Sequence, residues 1–373
     1  MPCDFHTLPH AGIRGLHPYV PGKATDAVVS EHKITDVMKL ASNENPRGCS
    51  PCVPKALSTL TPHRLATYTI TQDHPLRKHL AKHVQLDQKA LFLSNGSDFI
   101  FHMLLECFAL HTNKHILTHD YAFISYEVQA HTLGIPIRKV ALDNGWHVDI
   151  DNFIQACSQN TALIFIANPN NPTGLYINLS EIKRLLDNIP ASTLLVLDEA
   201  YYEYLPEHQR LDAPTWLEKY PNLVITRTFS KAYGLAALRL GYALAHPDII
   251  ALLYRIQLPF CVSQTALIAG MAALDDQAFV RQTVQLNTDG LKHVQEGLDH
   301  LGLTYLPSAC NFITFDCGQN AVTLDKNLQK RGVLIRPLNP YGLEQHLRVT
   351  IGTFEQNTRF LNTLALCLKE TPA

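Results

Sequence analysis

The chain has 373 residues, of which 46% are apolar and 17% charged, with a formal net charge of −2. That length exceeds the usual size of one hydrophobic core, so a large and a small domain are expected, and the even charge balance offers neither a basic surface for nucleic acid nor an acidic tail. No apolar run approaches the ~18 residues that span a bilayer, which excludes a membrane protein of the helical kind. The opening Met1-Pro2-Cys3-Asp4-Phe5-His6 lacks the charged-then-apolar profile of a signal peptide. Nine irregularly spaced cysteines fit reduced thiols, so a cytoplasmic location is expected.

Residues 1 to about 45 read as an extended arm interrupted by Pro18, Pro21 and Gly22, with a short strand at Met38-Lys39-Leu40. A turn rich in hydrogen-bonding side chains follows, Ala41-Ser42-Asn43-Glu44-Asn45-Pro46. From about residue 75, apolar strands alternate with amphipathic helices, the pattern of an α/β protein with a mostly parallel sheet. Leu91-Phe92-Leu93 precedes Ser94-Asn95-Gly96-Ser97-Asp98 and a helix beginning near Phe99. Ala162 to Ile166 precedes Asn168-Pro169-Asn170-Asn171-Pro172-Thr173-Gly174, and Leu194 to Leu197 precedes Asp198-Glu199-Ala200-Tyr201. Leu223 to Thr226 leads into Thr228-Phe229-Ser230-Lys231-Ala232-Tyr233-Gly234-Leu235, with Arg239 beyond. Each polar cluster falls just past the carboxyl end of a strand, where open α/β sheets place their ligands. A helical stretch around Asp248 to Tyr254 is expected to lead into a second, smaller α+β domain. Its strands are expected at 311–315, 333–335 and 347–350, and its last helix at Phe360 to Leu368. The expected division is an arm and small-domain segment at 1–45, a large domain at 46–250 and a small domain at 251–373.

Lys231 is the chemical centre of this pattern. An ammonium in a half-buried site loses its proton more readily than in water, and the neutral amine attacks aldehydes. The Ser230 hydroxyl and the forked donors of Arg239 suit a phosphate, so the three together suit an aldehyde that carries one, of which pyridoxal phosphate is the common example. Gly96-Ser97-Asp98 at a helix start offers further amides to a phosphate, although a plain cap is the commoner use of such residues. Asp198 closes an apolar strand and must find a partner or protonate, and a pyridinium N–H is one suitable partner. Tyr201 and Asn171 are placed to bond a phenolate oxygen on the same ring. Cys49-Ser50-Pro51-Cys52 has no second pair at zinc spacing, so no metal is expected. His79/His83 and His111/His115/His119 stand four apart without nearby carboxylates and read as solvated faces. No G-x-G-x-x-G or Walker sequence occurs.

Taken together, the 168–174 stretch, Asp198 to Tyr201, Ser230-Lys231 and Arg239 resemble the fold-type I pyridoxal-phosphate aminotransferases over nearly the whole chain. Within that group His17-Pro18-Tyr19-Val20-Pro21-Gly22-Lys23, Leu40 to Pro46, Gly332 to Arg336 and Leu347 to Gly352 resemble the histidinol-phosphate aminotransferases. The resemblance implies pyridoxal 5'-phosphate as cofactor, with Lys231 holding its aldehyde covalently and then acting as acid and base. It implies Asp198 on the ring nitrogen, Asn171 and Tyr201 on the ring oxygen, and Gly96, Ser97, Asp98, Ser230 and Arg239 around the phosphate. Tyr68 would reach the cofactor phosphate of a neighbouring subunit, which implies a homodimer with shared sites. Tyr19, Asn43, Asn311, Arg336 and Arg348 would contact the substrates, histidinol phosphate and glutamate or 2-oxoglutarate. The family's ring-stacking aromatic usually follows a proline, but here the segment reads Tyr121-Ala122-Phe123. Phe123 is therefore assigned to stacking, with Tyr126 as the second choice. Phe99 replaces a frequent acidic residue, and Tyr68-Thr69 replaces a Tyr-Pro pair. An aromatic aminotransferase, or an enzyme like threonine-phosphate decarboxylase, would share the cofactor residues.

Overall fold

The computed structural model describes residues 8–16, 29, 34 and 36–370. Tyr19, predicted to contact substrate, lies outside them. In chain order the strands are β1 (Met38–Lys39), β2 (Leu91–Ser94), β3 (His115–His119), β4 (Ile137–Val140), β5 (Thr161–Ala167), β6 (Leu194–Asp198), β7 (Leu223–Thr228) and β8 (Gly241–Ala245). They continue with β9 (Phe312–Asp316), β10 (Val333–Leu334), β11 (Arg336–Pro337) and β12 (His346–Thr350). Seven strands form the central sheet, in the order β2-β8-β7-β6-β5-β3-β4. Only β8 runs against its neighbours.

The central strands are apolar on both faces because helices cover both, as parallel sheets require. Alternation then sorts their side chains. Leu195, Leu197, Leu223 and Ile225 join one core cluster, while Leu194, Val196 and Val224 join the cluster on the opposite face. A third cluster packs β1, β9, β10 and β12 against helices 277–300 and 354–370. The smaller sheets are an antiparallel β11-β12-β9 and the parallel pair β1-β10, so the segment before residue 40 is stitched to the C-terminal part of the chain.

Helices 247–256 and 264–275 bury their apolar faces in the clusters of the central sheet. Helix 277–300 spans the two regions, with Val280 in a central-sheet cluster and Val294 and Leu298 in the third. The expected strand at 333–335 is the two-residue β10, followed after Ile335 by β11 in the other small sheet, and the final helix begins at Phe354, earlier than expected.

Two histidine readings are corrected. His115 and His119 sit on buried β3 rather than on a solvated face, because a spacing of four fits an alternating strand as well as a helix. His115 Nε2 lies 3.1 Å from Thr161 Oγ1, and His119 Nδ1 lies 2.7 Å from the Asp120 carbonyl. His79 does have a carboxylate, Asp275, at 2.6 Å, which reaches it from helix 264–275.

Candidate active site

The carboxyl ends of β2, β5, β6 and β7 converge on a cavity of about 110 Å³. Ser97, Asp98, Phe123, Asn171, Asp198, Tyr201, Ser230, Lys231 and Arg239 all line it. These residues span more than a hundred positions of sequence, and the parallel sheet brings them together by ending its strands on one edge.

One end of the cavity suits an anion. Arg239 Nη1 donates to Ser230 Oγ at 3.2 Å, and Nη2 lies 3.6 Å from Asp98 Oδ2. Thr228 Oγ1 completes this corner, donating to Ser230 Oγ at 3.0 Å and accepting from the Ser230 amide at 3.1 Å. Helix 97–108 starts here with Gly96 as its N-cap, and no side chain caps it. Its leading amides and dipole therefore face the corner without a built-in acceptor. Gly96 has φ +76°, and a Cβ there would stand 2.7 Å from Arg239 Nη2, so glycine keeps the guanidinium in place.

The other end holds Asp198. Its register partners are Ala167 and Thr226, and alternation turns its carboxyl toward the face carrying Val196. Neighbouring Glu199 turns the opposite way, where Arg227 Nε donates to it at 2.8 Å in a buried ion pair. Asp198 Oδ2 accepts from the Tyr126 hydroxyl at 2.7 Å, and Oδ1 accepts from Thr226 Oγ1 at 3.2 Å. Burial pushes the Asp198 carboxyl up to about 7, opposed mainly by the Tyr126 hydrogen bond. A cation placed against it would restore the carboxylate.

Lys231 lies between these ends. Burial lowers its amine to about 8, helped by the positive charges of Arg348 and Arg239. Its Nζ stands 5.7 Å from the centre of the Tyr201 ring and 3.5 Å from the Ser42 carbonyl. About a tenth of it is therefore a neutral nucleophile at pH 7, far more than for an ordinary lysine.

The predicted substrate residues form a layer tied to this cavity. Asn43 Nδ2 donates to the Tyr201 hydroxyl at 2.8 Å, its amide donates to Thr350 Oγ1 at 2.9 Å, and its carbonyl accepts from Asn311 Nδ2 at 3.0 Å. Asn311 Oδ1 is buried with no partner among the described residues. Arg348 Nη1 donates to Asn171 Oδ1 and Nη2 to the Ala41 carbonyl at 3.0 Å. Arg336 stands directly across from Arg348 in the β11–β12 ladder. Tyr68 is not part of the cavity; it is 79% exposed and stacks on Phe260 with ring centres 4.4 Å apart.

Sequence reasoning missed Thr226 and Thr228, although two threonines at period two near the end of an apolar strand signal a polar face. Of the two aromatics weighed for stacking, Phe123, the first choice, lines the cavity, whereas Tyr126 bonds Asp198.

The donor set fits pyridoxal phosphate. An arginine-hydroxyl-amide corner suits its phosphate, an amine of lowered basicity suits its aldehyde, and a buried carboxyl that needs a cation suits its ring nitrogen.

A profile of the family "Aminotransferase class I and II" matches residues 35–364. The chain is 53% identical over 364 residues to "Histidinol-phosphate aminotransferase 2" of Legionella pneumophila (strain Lens), covering 98% of this chain and 99% of that protein. It is 40% identical to "Histidinol-phosphate aminotransferase 1" of Idiomarina loihiensis, with 96% of each chain covered. The solved histidinol-phosphate aminotransferase of Sinorhizobium meliloti, in complex with pyridoxal-5'-phosphate, superposes with a TM-score of 0.88 at 24% identity over 98% of both chains, a likeness of fold. With the family profile running across the α/β core and the C-terminal region alike, the chain belongs to the class I and II aminotransferases.

Proposed function

We propose that the chain is a pyridoxal-phosphate-dependent aminotransferase interconverting histidinol phosphate and 2-oxoglutarate with imidazole-acetol phosphate and glutamate, a step of histidine biosynthesis. One observation carries the chemistry: an amine of lowered basicity lies in a single cavity with an anion corner and a buried carboxyl. The 53% identity to a histidinol-phosphate aminotransferase over nearly the full length supports the substrate.

When bound, the cofactor supplies an aldehyde for amines and a ring that takes up the electron pair left when the substrate's Cα–H bond breaks. Lys231 would hold the cofactor covalently; as a free amine once substrate is bound, its Nζ would take the proton from Cα and deliver it to the former aldehyde carbon, with the reverse transfer in the second half-reaction. Asp198 would keep a proton on the ring nitrogen. Asn171 and Tyr201 would hold the ring oxygen, Phe123 would cover a ring face, and Gly96, Ser97, Asp98, Ser230 and Arg239 would hold the phosphate. Arg348 and Arg336 would receive the anionic groups of both substrates, with Asn43 and Asn311 beside them.

A second copy of the chain is part of this reading. Tyr68, Phe260, Leu65, Ile70 and Leu258 are exposed apolar residues, and Asn95 Nδ2 donates to the Cys261 carbonyl at 3.2 Å, tying their surface to the phosphate corner. We assign Tyr68 to the partner's phosphate. We take the two-lobed organisation to divide within helix 277–300 rather than at the expected 250/251, because the apolar clusters change over along it. Among the described residues the cysteines are free and no helix is long and apolar enough to cross a membrane; both fit a cytoplasmic enzyme.

The test is a half-reaction followed by absorbance, with histidinol phosphate as the sole substrate of the reconstituted protein. The cofactor band should shift to that of the amine form and return with 2-oxoglutarate. Faster conversion by phenylalanine or tyrosine would move the assignment to an aromatic aminotransferase, and release of CO2 from threonine phosphate would make it a decarboxylase. A protein that takes up no cofactor would end the enzymatic reading.

A further inference from the structure

The Asp198 carboxylate is held from behind by a residue outside the cavity. Tyr126 donates to Oδ2 at 2.7 Å, the shorter of the two hydroxyl contacts to this group. Both side chains are buried. The Tyr126 ring is itself fixed. It stacks on Phe165 with centres 5.0 Å apart and an interplanar angle of 22°, and it meets Phe101 nearly perpendicularly at 5.0 Å. It also stands edge-on to Phe123, at 5.7 Å and 85°. Tyr126 therefore touches both the carboxyl and the aromatic assigned to the cofactor ring, yet does not line the cavity.

We propose that Tyr126 is a positioning residue: its hydroxyl orients Asp198 and holds it ionised for the ring nitrogen, while its ring edge sets the plane of Phe123. This rests on the pyridoxal-phosphate reading above. The physical ground is that a carboxyl stripped of water protonates unless donors favour the charged form, and each hydroxyl proton given to it does so. A protonated Asp198 would offer an O–H where the ring nitrogen needs an acceptor. Without Tyr126 the carboxyl would keep the Thr226 hydroxyl at 3.2 Å, on the other oxygen, and the Ala200 amide. Tyr126 thus acts on the ring nitrogen only through Asp198, and that makes its effect selective.

Tyr126→Phe keeps the ring and its packing and removes one oxygen. The cofactor-free protein is titrated, by quenching of its fluorescence, with pyridoxal phosphate and with the analogue in which carbon replaces the ring nitrogen. The variant should bind pyridoxal phosphate about 10- to 100-fold more weakly, the range for a hydrogen bond to a charged group, while binding of the carbon analogue changes less than about threefold. In an Asp198→Asn background the same substitution should have no further effect on pyridoxal phosphate. An equal loss for both ligands would make the hydroxyl merely structural and overturn the proposal. So would unchanged binding of pyridoxal phosphate, or a variant too unstable to titrate. If the parent protein binds neither ligand, the cofactor reading itself fails, an outcome distinct from the others.

Discussion

Asn43 is the point where the N-terminal segment, the central sheet and the C-terminal sheet meet, and its replacement separates backbone strain from hydrogen bonding. It sits at φ 55°, is 2% exposed, and bonds Tyr201, Thr350 and Asn311. In Asn43→Ala the side-chain donor to the buried Tyr201 hydroxyl is lost, which costs about 1–3 kcal/mol. Alanine must also hold a left-handed backbone, adding about 1 kcal/mol. Asn43→Gly loses the same hydrogen bonds but adopts that backbone freely, so it should be destabilised by about 1 kcal/mol less than the alanine variant. The order is opposite to that on an ordinary helix or strand, where alanine outlasts glycine. The assay is urea unfolding of the cofactor-free proteins at one protein concentration. A glycine variant no more stable than the alanine variant would refute the backbone argument. If both lie within about 0.5 kcal/mol of the parent, the hydrogen-bond argument fails.

The lowered basicity of Lys231 predicts a pH profile: with its amine at about 8, the rate of cofactor capture should rise roughly tenfold from pH 7 to pH 9 and then level, whereas an ordinary lysine would give about a hundredfold. Stopped-flow absorbance measures it, and a rise without levelling would disprove the shift. Gly96→Ala, whose Cβ would crowd Arg239, should release cofactor on dialysis at least about tenfold faster than the parent, the range of a lost charged hydrogen bond; retention equal to the parent would remove Arg239 from the phosphate corner. His119 is buried and pushed down to about 4 from 6.5. The unfolded chain takes up a proton below 6.5 that the folded chain refuses until about 4, so stability falls as pH drops through that window, by about 3 kcal/mol in full. Chemical denaturation from pH 7 to 4 should show a flatter loss for His119→Gln than for the parent. Finally, mixing Tyr68→Ala with Lys231→Ala, each nearly inactive alone, should regain activity through one native site per hybrid dimer; no recovery after subunit exchange would contradict shared sites.

Features that depend on short stretches of backbone were legible in the sequence. Asp198, Ser230 and Lys231 could be placed because each follows an apolar strand, and period-two alternation plus the end of that strand says where such a side chain emerges. The 94–98 stretch and its glycine were legible for the same reason, since a left-handed turn before a helix is a local steric matter. That Tyr126 bonds Asp198 while Phe123 faces the cavity is settled by tertiary packing. Both lie on one short segment, and the choice is made by where β6 lies, 72 residues away from Tyr126. The same holds for Asn43, whose partners lie 158, 268 and 307 residues along the chain, and for Arg336 opposite Arg348. His115 and His119 were misread because a spacing of four satisfies helix and strand alike, and only pairing with β5 and β4 removes the ambiguity. Local conformation follows from the sterics of neighbouring residues. The pairing of remote groups follows from how whole strands and helices bury their apolar faces, a sum over the chain that no single stretch contains.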